Sequence, residues 1–153
     1  MEDNKTRKEK DMELLNAFFA ENAEKREDIT YAVSKRFKDK NGKPIEWVLQ
    51  PVSAETDEAI RKECTKRIPV AGKKGQYTNF FDSNAYLTKL AVRSIKFPNL
   101  NDAELQNSYH VMGAEQLIMA MLYKDEFDAL TEVLVDDASA QETFVDLVDE
   151  AKN

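Results

Sequence analysis

Few residues of this chain have side chains that could carry out catalysis or hold a metal. The chain has one histidine, His110, and one cysteine, Cys64, so it cannot supply the several His and Cys ligands of a zinc site. A nucleophile and base pair of Cys64 and His110 is conceivable. However, Cys64 falls on the Ile60 side of a predicted helix and is typical of a small buried hydrophobe. The sequence therefore nominates no catalytic, cofactor-binding or metal-binding residue.

A basic turn and a run of carboxylates resemble two ligand-binding motifs without matching either. Residues 72–75 read Gly-Lys-Lys-Gly, but a phosphate-binding loop also needs a glycine where Arg67 stands and a Ser or Thr where Lys74 stands. The run of carboxylates between residues 125 and 137 lacks the central glycine of a calcium loop, and its members flank a helical stripe. They are interpreted as its solvated face, formed by Asp125, Glu126, Asp128, Glu132, Asp136 and Asp137.

The charge balance argues against a nucleic-acid partner. The 153 residues include 22 basic and 29 acidic side chains, for a formal charge of −7, whereas binding to phosphate chains depends on Lys and Arg. All of the excess acidity lies in the half from Tyr77 onward. A solvated acidic face is the simplest interpretation, and steering of a basic partner is the alternative.

The sequence also predicts where the protein acts. No stretch approaches the roughly 18 uninterrupted apolar residues that span a bilayer, and Met1–Asn22 lacks the features of a secretory leader. One cysteine cannot form an internal disulfide, which suits a reducing compartment. We therefore expect a cytoplasmic protein that neither spans nor binds a membrane.

Apolar periodicity predicts helices and one antiparallel hairpin in the N-terminal half. Residues 1–10 are almost wholly polar and are expected to be a frayed lead-in, followed by an amphipathic helix over Asp11–Ala23. Alternating apolar residues on both sides of the Asn41-Gly42 turn predict a β-hairpin over residues 29–50. Ser53 caps a predicted helix to Arg67, and a further short hairpin is conceivable around the basic turn.

The remaining chain, residues 82–151, reads as a set of short helices. Their predicted ranges are Asp82 or Ser83 to Pro98, 101–109, 113–123, 125–135 and 140–151. With only four glycines and four prolines, helix should dominate. The fold class is predicted to be α+β and mainly helical, with an N-terminal helix and antiparallel β-hairpin followed by a C-terminal bundle of short helices. Residues 1–153 are expected to form a single domain.

A methionine-rich apolar patch stands out in the last third, around Met112, Met119 and Met121. Methionine adapts its shape to varied partners. Packing in the core is the default explanation, and a groove for a partner is the functional alternative.

An ordered series of short motifs is more specific than any of these features. Residues 86–90 read Tyr-Leu-Thr-Lys-Leu, and residues 97–106 read Phe-Pro-Asn-Leu-Asn-Asp-Ala-Glu-Leu-Gln. A Ser-Tyr pair at 108–109, a Gly-Ala-Glu step at 113–115 and Met-Leu at 121–122 follow. Together these motifs resemble the XkdN-like tail assembly chaperones of phages and prophages of Gram-positive bacteria. His110 departs from the family pattern, which has glycine there.

The resemblance implies a non-enzymatic viral protein in the cytoplasm of the bacterial host. Such chaperones bind and solubilise the tape measure protein during tail assembly and are absent from the mature virion. The resemblance also implies self-association into an oligomer or spiral, and a longer form made by a −1 frameshift, with Asn153 ending the short form. A structural tail component, such as a tail completion or tube-associated protein retained in the virion, is the alternative. Partner contacts are expected at Tyr86, Met112, Met119, Met121 and Phe127.

Overall fold

The computed structural model describes residues 2–136, and the side chains of residues 4–136. The predicted helix over 140–151 lies outside this range. The helices are α1 (Glu2–Asn16), α2 (Ala54–Glu63), α3 (Ser83–Ser94), α4 (Ala103–Ser108), α5 (Ala114–Met121) and α6 (Lys124–Val135). The strands are β1 (Ile29–Tyr31), β2 (Trp47–Leu49), β3 (Thr65–Pro69), β4 (Tyr77–Phe81) and β5 (Ile95–Phe97). The predicted α+β, mainly helical class is confirmed. None of the described helices is both long and apolar enough to cross a bilayer.

A three-stranded antiparallel sheet has the order β1-β2-β5. Tyr31 pairs with Trp47 and Ile29 with Leu49, so the predicted antiparallel pairing is present, although its strands are shorter than predicted. Residues 32–46 connect them, and the turn at Gly42 adopts the positive φ of 81° that its sequence favours. Trp47 and Leu49 are both buried because side chains two residues apart share one face of a strand.

The third strand corrects the sequence prediction. The helix expected to continue to Pro98 ends at Ser94, and Ile95 leaves it with an extended backbone. Ile95 then pairs with Leu49, and Phe97 pairs with Val48. The apolar stripe continued past Ser94, but pairing with the free edge of β2 supplies the backbone hydrogen bonds that a two-stranded ribbon would leave open.

A second correction concerns α2. The predicted helix from Ser53 to Arg67 ends at Glu63, although the Ser53 cap is confirmed by its side chain accepting from the Thr56 amide. Residues beyond Cys64 pair instead with Tyr77–Phe81. The conceivable second hairpin is therefore present, and both of its strands are exposed.

The N-terminal helix differs most from its prediction. It begins at Glu2, inside the expected frayed lead-in, and ends at Asn16 rather than Ala23. Glu, Lys and Arg are good helix formers, which explains its early start. The Asn22 side chain donates to the Asn16 carbonyl at 2.8 Å, and the chain turns there.

Two apolar clusters join the three-stranded sheet and the helices α2 to α6. The larger one packs the sheet residues Trp47 and Leu49 against the buried faces of α3, α5 and α6, with Leu117 and Leu130 wholly buried. The smaller one contains Ile60, Cys64, Tyr86 and Leu90. Cys64 is 1% exposed and burial raises the pKa of its thiol, so its interpretation as a small buried hydrophobe is confirmed.

Candidate partner-binding surface

The turn between α4 and α5 is built by side chains of the 97–106 motif. Asp102 caps α4 by accepting from the Leu105 amide at 2.9 Å. Gln106 donates through Nε2 to the Leu100 carbonyl at 2.8 Å and accepts through Oε1 from the Gly113 amide at 3.1 Å. Leu100 is buried in the larger cluster. These contacts fix the start of α5 relative to the core.

His110 lies in this turn with a φ of 58°, in the left-handed region that glycine adopts without strain. The backbone conformation at position 110 is therefore one that favours glycine, the residue that the family pattern has there. Replacing His110 by Gly should raise the free energy of unfolding by up to about 1 kcal/mol, because the relief of left-handed strain exceeds the added entropy of the unfolded chain. Thermal unfolding of the two proteins tests this. A lower melting temperature for His110→Gly would contradict it.

The helix α5 has one buried and one exposed side. Leu117, Ile118 and Met121 pack in the larger cluster, whereas Met119 is 55% exposed. Its spacing of three from Gln116 places both on the opposite side of the helix. Met112, 84% exposed, and Tyr123, 66% exposed, flank the two ends. We call Met112, Gln116, Met119 and Tyr123 the α5 face.

The contact residues predicted from the sequence fall into an exposed group and a buried or half-buried group. Met112 and Met119 lie on the α5 face. Met121 is 5% exposed and Tyr86 is 8% exposed, and Phe127 is half-buried against the larger cluster. Apolar periodicity alone could not separate Met119 from Met121, because both belong to one apolar run.

Polar side chains border the α5 face on the α3 side. Lys89 pairs with Glu115 at 2.8 Å and with Glu63 at 3.8 Å, and the hydrogen bond from Lys89 to Glu115 raises the pKa of the lysine. The Thr88 hydroxyl lies 4.0 Å from the Met119 sulfur. An apolar strip beside charged pairs is the usual anatomy of a protein-binding surface.

Tyr86 belongs to a polar network between α2 and α3. Its hydroxyl donates to Asp57, and Arg61 donates to the same carboxylate at 2.8 Å while its guanidinium lies 4.5 Å from the Tyr86 ring centre. Burial and the hydrogen bond to Asp57 raise the pKa of Tyr86. This network joins α2 to α3.

Sequence reasoning missed a second charged network, centred on Arg36. Its guanidinium donates to Glu126 at 2.7 and 3.3 Å and to the Met121 carbonyl at 2.6 Å. It also lies 4.6 Å from the ring centre of Tyr123. Glu126 additionally accepts from the Tyr123 amide at 2.9 Å. Glu126 is therefore a structural partner rather than part of a solvated face.

The Glu126 contacts predict an acid-sensitive contribution to stability. The Arg36 hydrogen bonds, foremost, lower the pKa of Glu126 to about 2. A carboxylate with a depressed folded-state pKa stabilises the fold above its unfolded pKa, near 4.5, and this contribution is lost as the pH falls toward 2. Because Arg36 is partly exposed, we expect Glu126→Gln to cost about 1–2 kcal/mol at neutral pH.

The measurement is urea unfolding of the wild type and Glu126→Gln between pH 7 and pH 2. Their difference should shrink as the pH falls. A difference that stays constant across this range would show that the carboxylate charge contributes nothing. Glu132→Gln, at an exposed position of the same helix, is the matched control and should leave stability unchanged.

Two further apolar surfaces were not nominated from the sequence. One is the N-terminal arm, which we define by Met12, Leu14, Leu15, Phe18 and Phe19. All five side chains are exposed, and Phe18 is 81% exposed. The other is the β3–β4 hairpin, with exposed Ile68, Tyr77, Phe80 and Phe81. Each surface contains two adjacent phenylalanines, and these pairs are the sequence feature from which the surfaces could have been found. Across residues 2–136, no group of three or more His, Cys, Asp or Glu side chains could hold a metal ion.

Similarity to known proteins confirms the family resemblance. Residues 15–152 match the family model of the phage XkdN-like tail assembly chaperone protein. The chain is 27% identical over 128 residues to the phage-like element PBSX protein XkdN of Bacillus subtilis strain 168, covering 83% of this chain and 85% of that protein. It is 29% identical over 83 residues to the uncharacterized protein YqbN of the same strain, covering 54% of each chain.

The fold is also similar to a solved one. The crystal structure of the protein YqbN superimposes with a TM-score of 0.63 and 17% identity, covering 78% of this chain and 91% of that one. At this identity the likeness concerns the fold alone. The family match includes the sheet, the α4–α5 turn and the α5 face described above. This chain belongs to the phage XkdN-like tail assembly chaperone family.

Proposed function

We propose that this chain binds and solubilises the tape measure protein during phage tail assembly. It does so in the cytoplasm of the bacterial host, without catalysis, and leaves before the virion is complete. The observation that carries the proposal is the exposed α5 face on a member of a tail assembly chaperone family. Exposed apolar strips with polar borders are typical of surfaces that bind partners.

The chemistry of the α5 face suits a long, helical, apolar client. Met112 and Met119 are flexible and polarizable, so they can pack against many different apolar side chains. Each such contact is weak. Binding of many chaperone copies along one client would add these contacts by avidity, and self-association into an oligomer or spiral would strengthen the effect.

The charge of the chain supports the same role. With a net charge of −7, a coat of chaperone molecules around the client would carry a large negative charge and repel other coated clients. The apolar surfaces would then face the client while the acidic ones face water. Aggregation of the client would be suppressed.

Co-expression with the tape measure protein of the same phage or prophage tests the proposal. The client, insoluble alone, should become soluble and elute with this chain in size-exclusion chromatography. A parallel culture carries the proposed frameshifted longer form, whose slippery sequence can be read from the gene. A client that stays insoluble with both forms, together with this chain in purified tails, would overturn the proposal in favour of a structural tail component.

A further inference from the structure

The β3–β4 hairpin forms a sheet of two strands, and every residue of both strands is exposed. At its base the ring centre of Phe81 lies 5.5 Å from that of Tyr86, which joins the hairpin to α3. A ribbon of two strands is marginal in water unless a further strand or a packed surface supports it. The hairpin would therefore be stabilised by a partner along one of its edges.

The hydrogen bonds of the hairpin determine which backbone groups point outward. The Val70 amide donates to the Gln76 carbonyl at 3.0 Å, just before the turn. The Asp82 amide donates to the Cys64 carbonyl at 2.8 Å, at the base. Because bonded and non-bonded pairs alternate along an antiparallel ladder, the even-numbered pairs are the bonded ones. The residues whose amides and carbonyls point outward are Thr65, Arg67 and Pro69 on β3 and Tyr77, Asn79 and Phe81 on β4.

The two edges of the hairpin differ in how well they are protected against pairing. On β3, Pro69 has no amide to donate, and Lys66 and Arg67 are charged. Proline and charge are the features that keep an edge strand from pairing with another chain. Strand β4 reads Tyr-Thr-Asn-Phe-Phe, without proline or charge, and within residues 2–136 no other element bonds to its outward backbone groups. The β4 edge is therefore the one that is open to a further strand.

The sequence of β4 is self-complementary in an antiparallel pairing with a second copy. When Asn79 lies opposite Asn79 of that copy, Tyr77 lies opposite Phe81, and Thr78 lies opposite Phe80. The odd-numbered pairs are those whose outward groups meet, so each can exchange two backbone hydrogen bonds. Aromatic side chains directly opposite one another further stabilise a sheet. A second β4 therefore satisfies the open edge completely.

The distribution of charge also favours this pairing. The basic side chains of the hairpin lie on β3 and in the turn, and they are Lys66, Arg67, Lys73 and Lys74. The two β3 strands would be the outer ones, about 14 Å apart at three strand spacings, which is beyond the screening length of about 8 Å. The same register places Gln76 opposite Asp82 of the second copy, so each basic turn approaches a carboxylate of the other copy.

We propose that the β4 edge pairs with β4 of a second copy of this chain, giving a four-stranded antiparallel sheet with a two-fold axis at Asn79. A two-fold contact uses the same patch on both copies, as the self-complementary strand allows. Ile68 and Phe80, both exposed in one copy, then lie together on one face of the shared sheet and shield each other from water. This pairing deepens the self-association that is part of the proposed function and rests on it in that respect, but its test uses no client.

Proline substitution at one edge at a time tests the pairing in the full chain. Asn79→Pro removes an outward amide from β4 and leaves the β3–β4 ladder intact, since proline is tolerated where the amide faces solvent. In sedimentation equilibrium it should weaken dimerisation at least about tenfold. Arg67→Pro is the matched control, because Arg67 pairs with Asn79 in the same ladder and its amide points to the other edge. It should dimerise as the wild type does.

Cysteine cross-linking tests the same contact without proline. In Asn79→Cys the two thiols lie opposite each other at the axis, with Cα atoms about 5.5 Å apart, which suits a disulfide. In Arg67→Cys the corresponding residues are on the outer strands, about 14 Å apart. Cys64 is buried and is retained in both. Under mild oxidation Asn79→Cys should form a disulfide-linked dimer at least about tenfold faster than Arg67→Cys.

The outcomes separate a second copy from other occupants of the β4 edge. Equal cross-linking rates at the two positions would overturn the proposal, and so would a dimer that Asn79→Pro leaves intact. A chain that stays monomeric and does not cross-link through Asn79→Cys, yet loses solubilisation of its client with Asn79→Pro, would overturn it in favour of a client strand on this edge. Loss of the dimer with client solubilisation retained would support the pairing and leave client binding on the α5 face.

Discussion

Replacement of Met112 and Met119 together by aspartate should abolish solubilisation of the tape measure protein and leave the far-UV circular dichroism spectrum unchanged. Both side chains are exposed, at 84% and 55%, so neither substitution buries a charge. Two carboxylates on the α5 face would have to be desolvated on contact with an apolar client, which is costly. We expect the soluble client to fall at least about tenfold, which corresponds to roughly 1.4 kcal/mol of binding free energy.

The matched control is Asn101→Asp with Asn107→Asp, which adds the same charge at two exposed positions off the α5 face. This variant should solubilise the client as well as the wild type. Equal loss in both variants would mean that added negative charge, rather than the α5 face, governs binding. Full activity of the methionine variant would place the client elsewhere, with the N-terminal arm and the β3–β4 hairpin as the next surfaces to test.

Replacement of Met121 by aspartate should unfold the protein. Met121 is 5% exposed and packs in the larger cluster, so truncating it removes about 2–5 kcal/mol of packing, and the buried carboxylate adds a further penalty. The sum approaches the whole stability of a typical domain, about 5–15 kcal/mol. Met119→Asp, two residues away on the exposed side, is the control.

Circular dichroism and thermal melting distinguish these variants. Met119→Asp should melt within a few degrees of the wild type, whereas Met121→Asp should lack a cooperative transition at room temperature and above. A native-like melt for Met121→Asp would show that the α5 helix can rotate or move away from the core. The assignment of buried and exposed sides would then be wrong.

Helix positions were predictable wherever a local signal starts or stops them. Ser53, Asp82 and Asp102 accept hydrogen bonds from the amides of the first turn that each precedes, as their residue types favour. Gly113 immediately precedes α5 with a φ of 92°. Each of these features involves groups no more than four residues apart, so both interacting groups can be identified within one short stretch of sequence.

Strand β5 and the ends of α2 and α3 were not predictable in the same way. Ile95 continues the apolar spacing of α3, and only the distant β2 edge makes its extended backbone favourable. Thr65 likewise leaves the pattern of α2 because Phe81 pairs with it. Ile95 has its partner far along the chain in β2, and Thr65 has its partner in the next strand of a hairpin. Both partners lie outside the stretch over which helical periodicity is read.

Only part of the candidate site was predictable, because its geometry also depends on contacts between residues that are distant in sequence. The apolar run around α5 was visible, but which methionine faces water depends on how α5 packs against α3 and α6. Arg36 could not be nominated, because its contacts to Glu126 and the Met121 carbonyl join residues that lie far apart in sequence.

The sheet order β1-β2-β5 sets an order of events during synthesis. Strands β1 and β2 are complete once Leu49 has been made, but as a two-stranded ribbon they are marginal in water. Their third partner arrives only with Ile95–Phe97, after α2, the local β3–β4 hairpin and α3 have emerged. A nascent chain that stops before Ile95 should therefore keep Trp47 accessible to water, and the hairpin β3–β4, whose pairing is local, should be the earlier folding event.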